Sequence, residues 1–254
     1  MIFRVEEPNF LSNAYLVTDP DSKKGVLIDS NGVTEPLLEL IDREEIEITQ
    51  ILLTHHHYDH VLGVEQTAER YGIPVLAHPR CAELVDAVTD TLQDGAVVET
   101  GGLRFEAIYT PGHCGDHIAF NLNQTDLFTA DLLFRGTVGG TGAPGATGLD
   151  DLRRSIMERV MALDRSIRIH PGHRAPSTLA AEWESNPFVR LWRGLESFAE
   201  EPVSVGPPNA ETRRAATLLL WAPDYDGGNK ALIRFADDGT ETITGGSQIK
   251  RESA

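Results

Sequence analysis

Cysteine is almost missing from this chain: Cys81 and Cys114 are the only two in 254 residues, against nine histidines. Two cysteines cannot make a disulfide framework, so any bound metal is expected on imidazole and carboxylate rather than thiolate. Positive charge is scarce as well, with 22 Lys and Arg facing 39 Asp and Glu for a net charge of -17. Such a surface repels phosphate backbones and anionic lipid headgroups, which excludes nucleic acid as a general partner. No run approaches the ~20 apolar residues of a membrane span. Met1 to Pro8 lack the basic and apolar regions of a secretion signal. The expectation is therefore a cytoplasmic protein with no membrane and no nucleic-acid partner, acting on a small molecule. At 41% hydrophobic and 24% charged residues the composition is ordinary and globular.

What is present is a repeating order of apolar strand, polar loop and helix. Ile2 to Ile28 reads as short strands broken by Asn9, Asn13 and the turn at Asp19 to Ser22, and Leu37, Leu38 and Ile41 mark a short helix. Ile51 to Leu53 reads as a strand, followed by a helix carrying Val61, Val64, Ala68 and Tyr71, with Gly72 as its stop. Ile73 to Ala77 is the next strand. Leu103, Phe105 and Ala107 alternate like a half-buried strand, as do Ile118, Phe120 and Leu122, and Leu127 to Thr129 pairs back across the turn at Asn123 to Thr125. A helix with Leu149, Leu152, Ile156, Val160 and Leu163 on one face leads into a strand at Ile167 to Ile169. This is the pattern of a layered α/β domain, closing near residue 185.

Residues 186–254 read as a C-terminal extension. Asn186-Pro187 starts a helix whose stripe of Phe188, Leu191, Trp192, Leu195 and Phe198 is a packing surface. A Pro-rich link from Glu201 to Pro208 follows, then a small antiparallel meander over Thr217 to Trp221, Ala231 to Phe235 and Thr240 to Thr244. The sequence leaves this part three roles: shaping the pocket, mediating a homo-oligomer, or only extending the core.

The chemistry is concentrated in Thr54-His55-His56-His57-Tyr58-Asp59-His60, where an apolar strand runs out into a loop. At a strand end His55 and His57 point to one side and His56 to the other, so that pair can chelate one ion. Asp59 and His60, opening the next helix, can face a second. A single histidine is usually a surface or core residue, but three at ligand spacing around an aspartate reverse that preference. Three more ligand-type residues each lie just beyond an expected strand: His113 after Pro111-Gly112, Asp131 after Thr129-Ala130, and His173 after Pro171-Gly172. Loops at one sheet edge can converge on a single site. Counting assigns His55, His57 and His113 to one ion, Asp59, His60 and His173 to the other, and Asp131 to a bridge. Open positions on nitrogen and carboxylate ligands suit two catalytic zinc ions, although the same donors accept iron or manganese.

With these residues assembled, the chain resembles the metallo-β-lactamase fold superfamily, whose signature T-H-x-H-x-D-H is matched by Thr54 to His60, with His113, Asp131 and His173 following in order. The resemblance covers about residues 1–185 and implies a four-layer αββα sandwich with the metals at one edge of the two sheets. Thr110-Pro111-Gly112-His113, Asp131-Leu132-Leu133-Phe134 and Asn186-Pro187-Phe188 are most similar to the glyoxalase II and persulfide dioxygenase branch. β-Lactamases of this fold have no bridging aspartate, so Asp131 speaks against that activity. Acyl-homoserine lactonases carry a tyrosine where this chain has Phe134, and the nuclease branches fit poorly with the acidic charge. One departure stands out: glutathione-using relatives place a basic residue where Gly139-Gly140-Thr141 lies here, which opens the choice of thiol carrier.

The resemblance implies a hydrolase in which two ions lower the pKa of a bound water toward about 7 and the resulting hydroxide attacks a thioester or related ester. Asp59 would be the catalytic residue that orients the nucleophile. The alternative is a mononuclear iron persulfide dioxygenase with His55, His113 and Asp131 as its ligands. Arg135 to Gly148 holds six glycines and reads as a flexible loop over the site. Cys114, His56, His78, His117 and His170 take structural readings, with His117 as a candidate partner behind a ligand.

Overall fold

The computed structural model describes residues 1–251. Two six-stranded sheets lie face to face. The first runs, edge to edge, through Ile2–Glu6, Asn13–Asp19, Lys24–Ile28, Glu47–Leu52, Val75–Ala77 and Asp90–Thr91. Its first three strands form antiparallel hairpins and the rest pair in parallel. The second orders Ser177–Thr178, Arg168–Pro171, Asp126–Ala130, Ile118–Leu122, Leu103–Tyr109 and Val97–Thr100.

Side-chain alternation sorts these strands into layers. Tyr15, Val17, Val26, Ile28 and Leu52 face Phe105, Ala107, Phe120 and Phe128 between the sheets. The alternate residues Leu16, Leu27, Ile51 and Leu53 face outward onto Leu37, Leu38 and Ile41 of the helix Glu35–Glu44 and Val64 of Val64–Tyr71. On the far side Ile108, Ala119, Leu127 and Ile169 meet Leu152, Ile156, Leu179 and Phe188. Helix, sheet, sheet and helix are thus stacked in four layers. Because both faces of each sheet are covered, Ile118–Leu122 is buried at every position rather than half-buried as its alternation suggests.

Other elements differ from the sequence pattern for local reasons. Asn13 opens a strand instead of breaking one, because its side chain donates to the Pro171 and Arg174 carbonyls. The helix expected through Val61 to Tyr71 is split into Tyr58–Val61 and Val64–Tyr71 by Gly63, whose φ of 83° lies outside helical space. Gly72 does end the second piece in a left-handed cap. Leu149–Arg154 loosens into a π-helical turn over Ser155–Val160. Asn186 caps Pro187–Trp192 through its side chain. That helix stops at Trp192, so Leu195 and Phe198 fall beyond the stripe and lie about half exposed.

The link from Glu201 turns out to contain a strand, Glu201–Val205, inside a five-stranded antiparallel sheet with Arg214–Pro223, Asn229–Phe235, Glu241–Gly245 and Ile249–Arg251. One face of this sheet buries Val203, Leu218 and Ile233. The other gives Leu219, Ala222, Leu232 and Ile243 to the core cluster that contains Leu132, Val138 and Phe188. The C-terminal sheet therefore shares the core of the sandwich. Among the described residues no helix is long and apolar enough to cross a membrane.

Candidate metal centre

At one edge of the sandwich the two sheets are stitched together. The Ile118 N–H donates to the Thr54 carbonyl at 2.9 Å and the Asn13 N–H to the Gly172 carbonyl at 2.6 Å. The loop carrying Thr54 to His57 leaves the strand Glu47–Leu52 at this edge, and extended backbone at His57 (φ -61°, ψ 141°) then starts the short helix holding Asp59 and His60. Asp131 follows the strand Asp126–Ala130, and His173 follows Arg168–Pro171.

Sharp backbone turns aim the later residues inward. Ala130, before Asp131, and Arg174, after His173, sit in the left-handed region at φ 39° and 71°. Non-glycine residues there cost about 1–3 kcal/mol each and persist only where the surroundings enforce them. Gly112, before His113, has φ 141°, and a Cβ there would lie 2.3 Å from Leu152 Cα. A Cβ on Gly172 would lie 2.1 Å from Asp131 Oδ1, so only glycine lets this turn approach the carboxylate.

All seven residues expected to bind metal are brought together. The donor atoms of His55, His57, His113 and Asp131 lie within 4.8 Å of one another, as do those of Asp59, His60 and His173. Asp131 joins the two groups: its Oδ1 is 3.3 Å from His60 Nε2, and its Oδ2 is 3.5 Å from His113 Nε2 and 3.3 Å from His173 Nε2. Asp59 Oδ2 lies 3.7 Å from His60 Nε2 and 3.5 Å from His173 Nε2.

The hydrogen bonds behind these rings show that the cluster fits a cation. His113 Nδ1–H donates to the Gly140 carbonyl at 2.9 Å and His57 Nε2–H to the Pro144 carbonyl at 3.1 Å. With those protons committed outward, the lone pairs of His113 Nε2 and His57 Nδ1 face each other at 2.8 Å. Two facing lone pairs repel, and a cation beside them turns the repulsion into attraction. The Thr54 hydroxyl donates to Asp29 Oδ2 at 2.7 Å, so it accepts from His55 Nδ1–H at 3.0 Å. That leaves His55 Nε2 buried with no partner among the described residues.

Charge divides the two groups. Burial pushes His55 well below the usual histidine range and His113 down to about 4, so both stay neutral and available as ligands at neutral pH. Burial works the same way on His60, yet Asp131 and Asp29 outweigh it and hold its pKa well above that range. Asp131 stays well below the carboxylate range against its own burial, because His173 and His60 face it. A cation entering here would displace the His60 proton.

Two contributors were not among the residues singled out from the sequence. Asp29 accepts from the Thr54 N–H at 2.8 Å, from the Thr54 hydroxyl and from His60 Nδ1–H at 3.0 Å, so one buried carboxylate orients a histidine in each group, His55 through Thr54. Its one signal was its place just beyond the apolar strand Lys24–Ile28. Tyr225, on the turn between two strands of the C-terminal sheet, stacks on His173 with ring centroids 4.1 Å apart and 15° between planes. His173 Nδ1 has no hydrogen-bond partner among the described residues, and Tyr225 and the edge of Phe134 hold the ring instead.

The remaining candidates fall behind the site. His56 Nδ1 bonds Asp116 at 2.8 Å, and His117 Nδ1 bonds Thr110 at 2.8 Å with its ring 5.3 Å from His55. Cys114 is fully buried, and burial holds its thiol well above the usual range, which removes it as a nucleophile. His78 stacks on Tyr109, and His170 bonds Asp126. The glycine-rich segment begins as a buried strand, Thr137–Val138, paired with Leu133–Phe134, and only from Gly140 does it line the cavity beside Asp131.

Residues 8–173 match the family model described as the metallo-beta-lactamase superfamily. A hydroxyacylglutathione hydrolase of Chromohalobacter salexigens is 31% identical over 261 residues, covering 87% of this chain and 98% of that protein. The hydroxyacylglutathione hydrolase GloC of Haemophilus influenzae is 30% identical over 200 residues, covering 71% and 93%. Among solved structures, TTHA1623 in a di-iron-bound form superposes with a TM-score of 0.63 at 33% identity, covering 73% of this chain and 99% of that one.

Proposed function

The chain belongs to the metallo-beta-lactamase superfamily, and on that premise we propose that it is a metal-dependent hydrolase of a thioester or related ester, with two ions, zinc first among them, on the seven converging residues. The observation that carries this reading is the double cluster itself: His55, His57 and His113 on one side, Asp59, His60 and His173 on the other, with Asp131 within 3.5 Å of a histidine from each. Bound there, divalent ions supply a Lewis acid and a water acidic enough to ionise near neutral pH.

The chain's own groups do the positioning. Asp131 would be the ligand shared by both ions, and its buried carboxylate would offset part of their charge. Asp59 turns Oδ2 toward His60 and His173 and keeps about a fifth of its side chain exposed, where its other oxygen can accept a hydrogen bond from the attacking water and orient it. The relatives that act on hydroxyacylglutathione support a thioester as the substrate class. A mononuclear iron persulfide dioxygenase on His55, His113 and Asp131 is the alternative, and the metal content and substrate separate it from the hydrolase.

Elemental analysis of protein purified without added metal tests the reading. About two zinc per chain with thioester hydrolysis is expected. About one iron per chain with oxygen uptake on a persulfide would overturn it in favour of the dioxygenase. Replacing Asp59 with Ala should lower turnover by about 10²–10⁴-fold, and full activity in that variant would remove the assigned role.

A further inference from the structure

The cavity beside the metal-ligand cluster has a wall that lies outside the segment matched by the superfamily model. This cavity of about 270 Å³ lies above His113 and Asp131, open to solvent on one side, and its far side is built by Asp224, Tyr225, Asp226 and Lys230 of the C-terminal sheet.

The wall has a definite sign. Lys230 is the one cation lining the cavity among the described residues, and it is already committed. Its ammonium lies 3.0 Å from Asp224 Oδ1 and donates to the Val138 carbonyl at 2.7 Å, in a pair that is about 95% buried. Asp226 has no cationic partner among the described residues, and its carboxylate accepts only the Gly228 N–H at 2.8 Å. With Lys230 and Asp224 cancelling and Asp131 turned to the ligand cluster, the solvent-exposed carboxylate of Asp226 is the charge left uncompensated on this wall. Glutathione carries two carboxylates against one ammonium, so this wall is unsuited to it.

We propose that the C-terminal sheet forms a specificity subsite of the centre, and that it selects a substituent without negative charge, neutral or ammonium-bearing, next to the scissile bond. The proposal rests on the metal-centre reading above and deepens it by naming the substrate class. A carboxylate held some 6 Å from Asp226 would be repelled by about threefold in affinity, since the exposed carboxylate acts through water.

Thiols of matched length that bind directly to the ions provide the test, using the full-length metal-loaded protein and calorimetry. 3-Mercaptopropionate should bind about threefold more weakly than 2-mercaptoethanol or cysteamine at low ionic strength, and added salt should narrow the gap. The overall charge of -17 would also disfavour an anion, so Asp226→Asn separates local from global repulsion: it should close most of the gap. Equal or tighter binding of 3-mercaptopropionate overturns the proposal, and so does a gap that Asp226→Asn leaves intact. Thiol binding needs no turnover. Discrimination in a protein that cleaves no thioester would therefore remove the hydrolase reading and leave the subsite standing.

Discussion

The two halves of the metal centre are braced differently. In the half built from His55, His57 and His113, each ring has its outer nitrogen tied by a hydrogen bond, to Thr54, Pro144 and Gly140. All of these partners lie within residues 8–173, the segment that matches the superfamily model. In the other half His60 is tied to Asp29 in the same way, but His173 has no such bond and is held by the face of Tyr225. A hydrogen bond fixes both the tautomer and the orientation of a ligand ring, whereas a stacked ring fixes only the orientation. The first half is thus complete within the sandwich. The second borrows a side chain from the C-terminal sheet.

Removing what the halves share should have the largest effect. Asp131→Ala deletes the carboxylate that lies against His60, His113 and His173, and metal content should fall well below two ions per chain with activity down by more than about 10³-fold. Retention of both ions would mean that the halves are independent sites. Tyr225→Ala acts on one half alone. Loss of an orienting contact behind a ligand typically costs about 10–100-fold in metal affinity, and that loss is expected for one ion of the two. Tyr225→Phe keeps the stacked face and should restore both. Equal weakening of both ions on titration with a chelator, or no rescue by Phe, would break the contrast between the halves.

The sequence exposes these halves unequally, for physical reasons. The seven clustered residues were legible because ligand types recur just past apolar strands, and strand ends at one sheet edge must converge. A layered α/β domain was legible from the order of strands and helices, whereas the four layers came from the resemblance. The alternation that sorts them, as in Leu16 against Val17 and Leu27 against Ile28, is plain once the two sheets are seen to cover each other. Tyr225 was not legible, since nothing local marks a tyrosine on a turn as the partner of a histidine 52 positions earlier. Asp29 was hidden for the same reason: its role exists only once Thr54 and His60 are folded onto it. The meander of residues 214–245 was visible in its strands and turns. Its docking onto Leu132 and Val138 was not, because a sheet that buries both faces shows which residues are covered without showing by what.

The smallest expected effect lies behind His173, in the strand that delivers it. Asp126 is buried, which on its own would raise its pKa, but His170 Nε2 at 2.7 Å and Arg168 Nη2 at 2.8 Å hold the carboxyl well below the usual range. Arg168 is largely exposed and His170 is not, so most of the benefit is assigned to the imidazole. A folded pKa below the unfolded value of about 3.9 means that the native state binds the proton less tightly. The stabilisation is then fully present above about pH 4 and is lost as pH falls through the folded pKa. Asp126→Asn should cost about 1–3 kcal/mol at pH 7, read from urea midpoints, and less at pH 3. If the cost were equal at the two pH values or larger in acid, the ionised Asp126 would not be what anchors this strand. The second half would then depend on the C-terminal sheet still more heavily than the stacking of Tyr225 already implies.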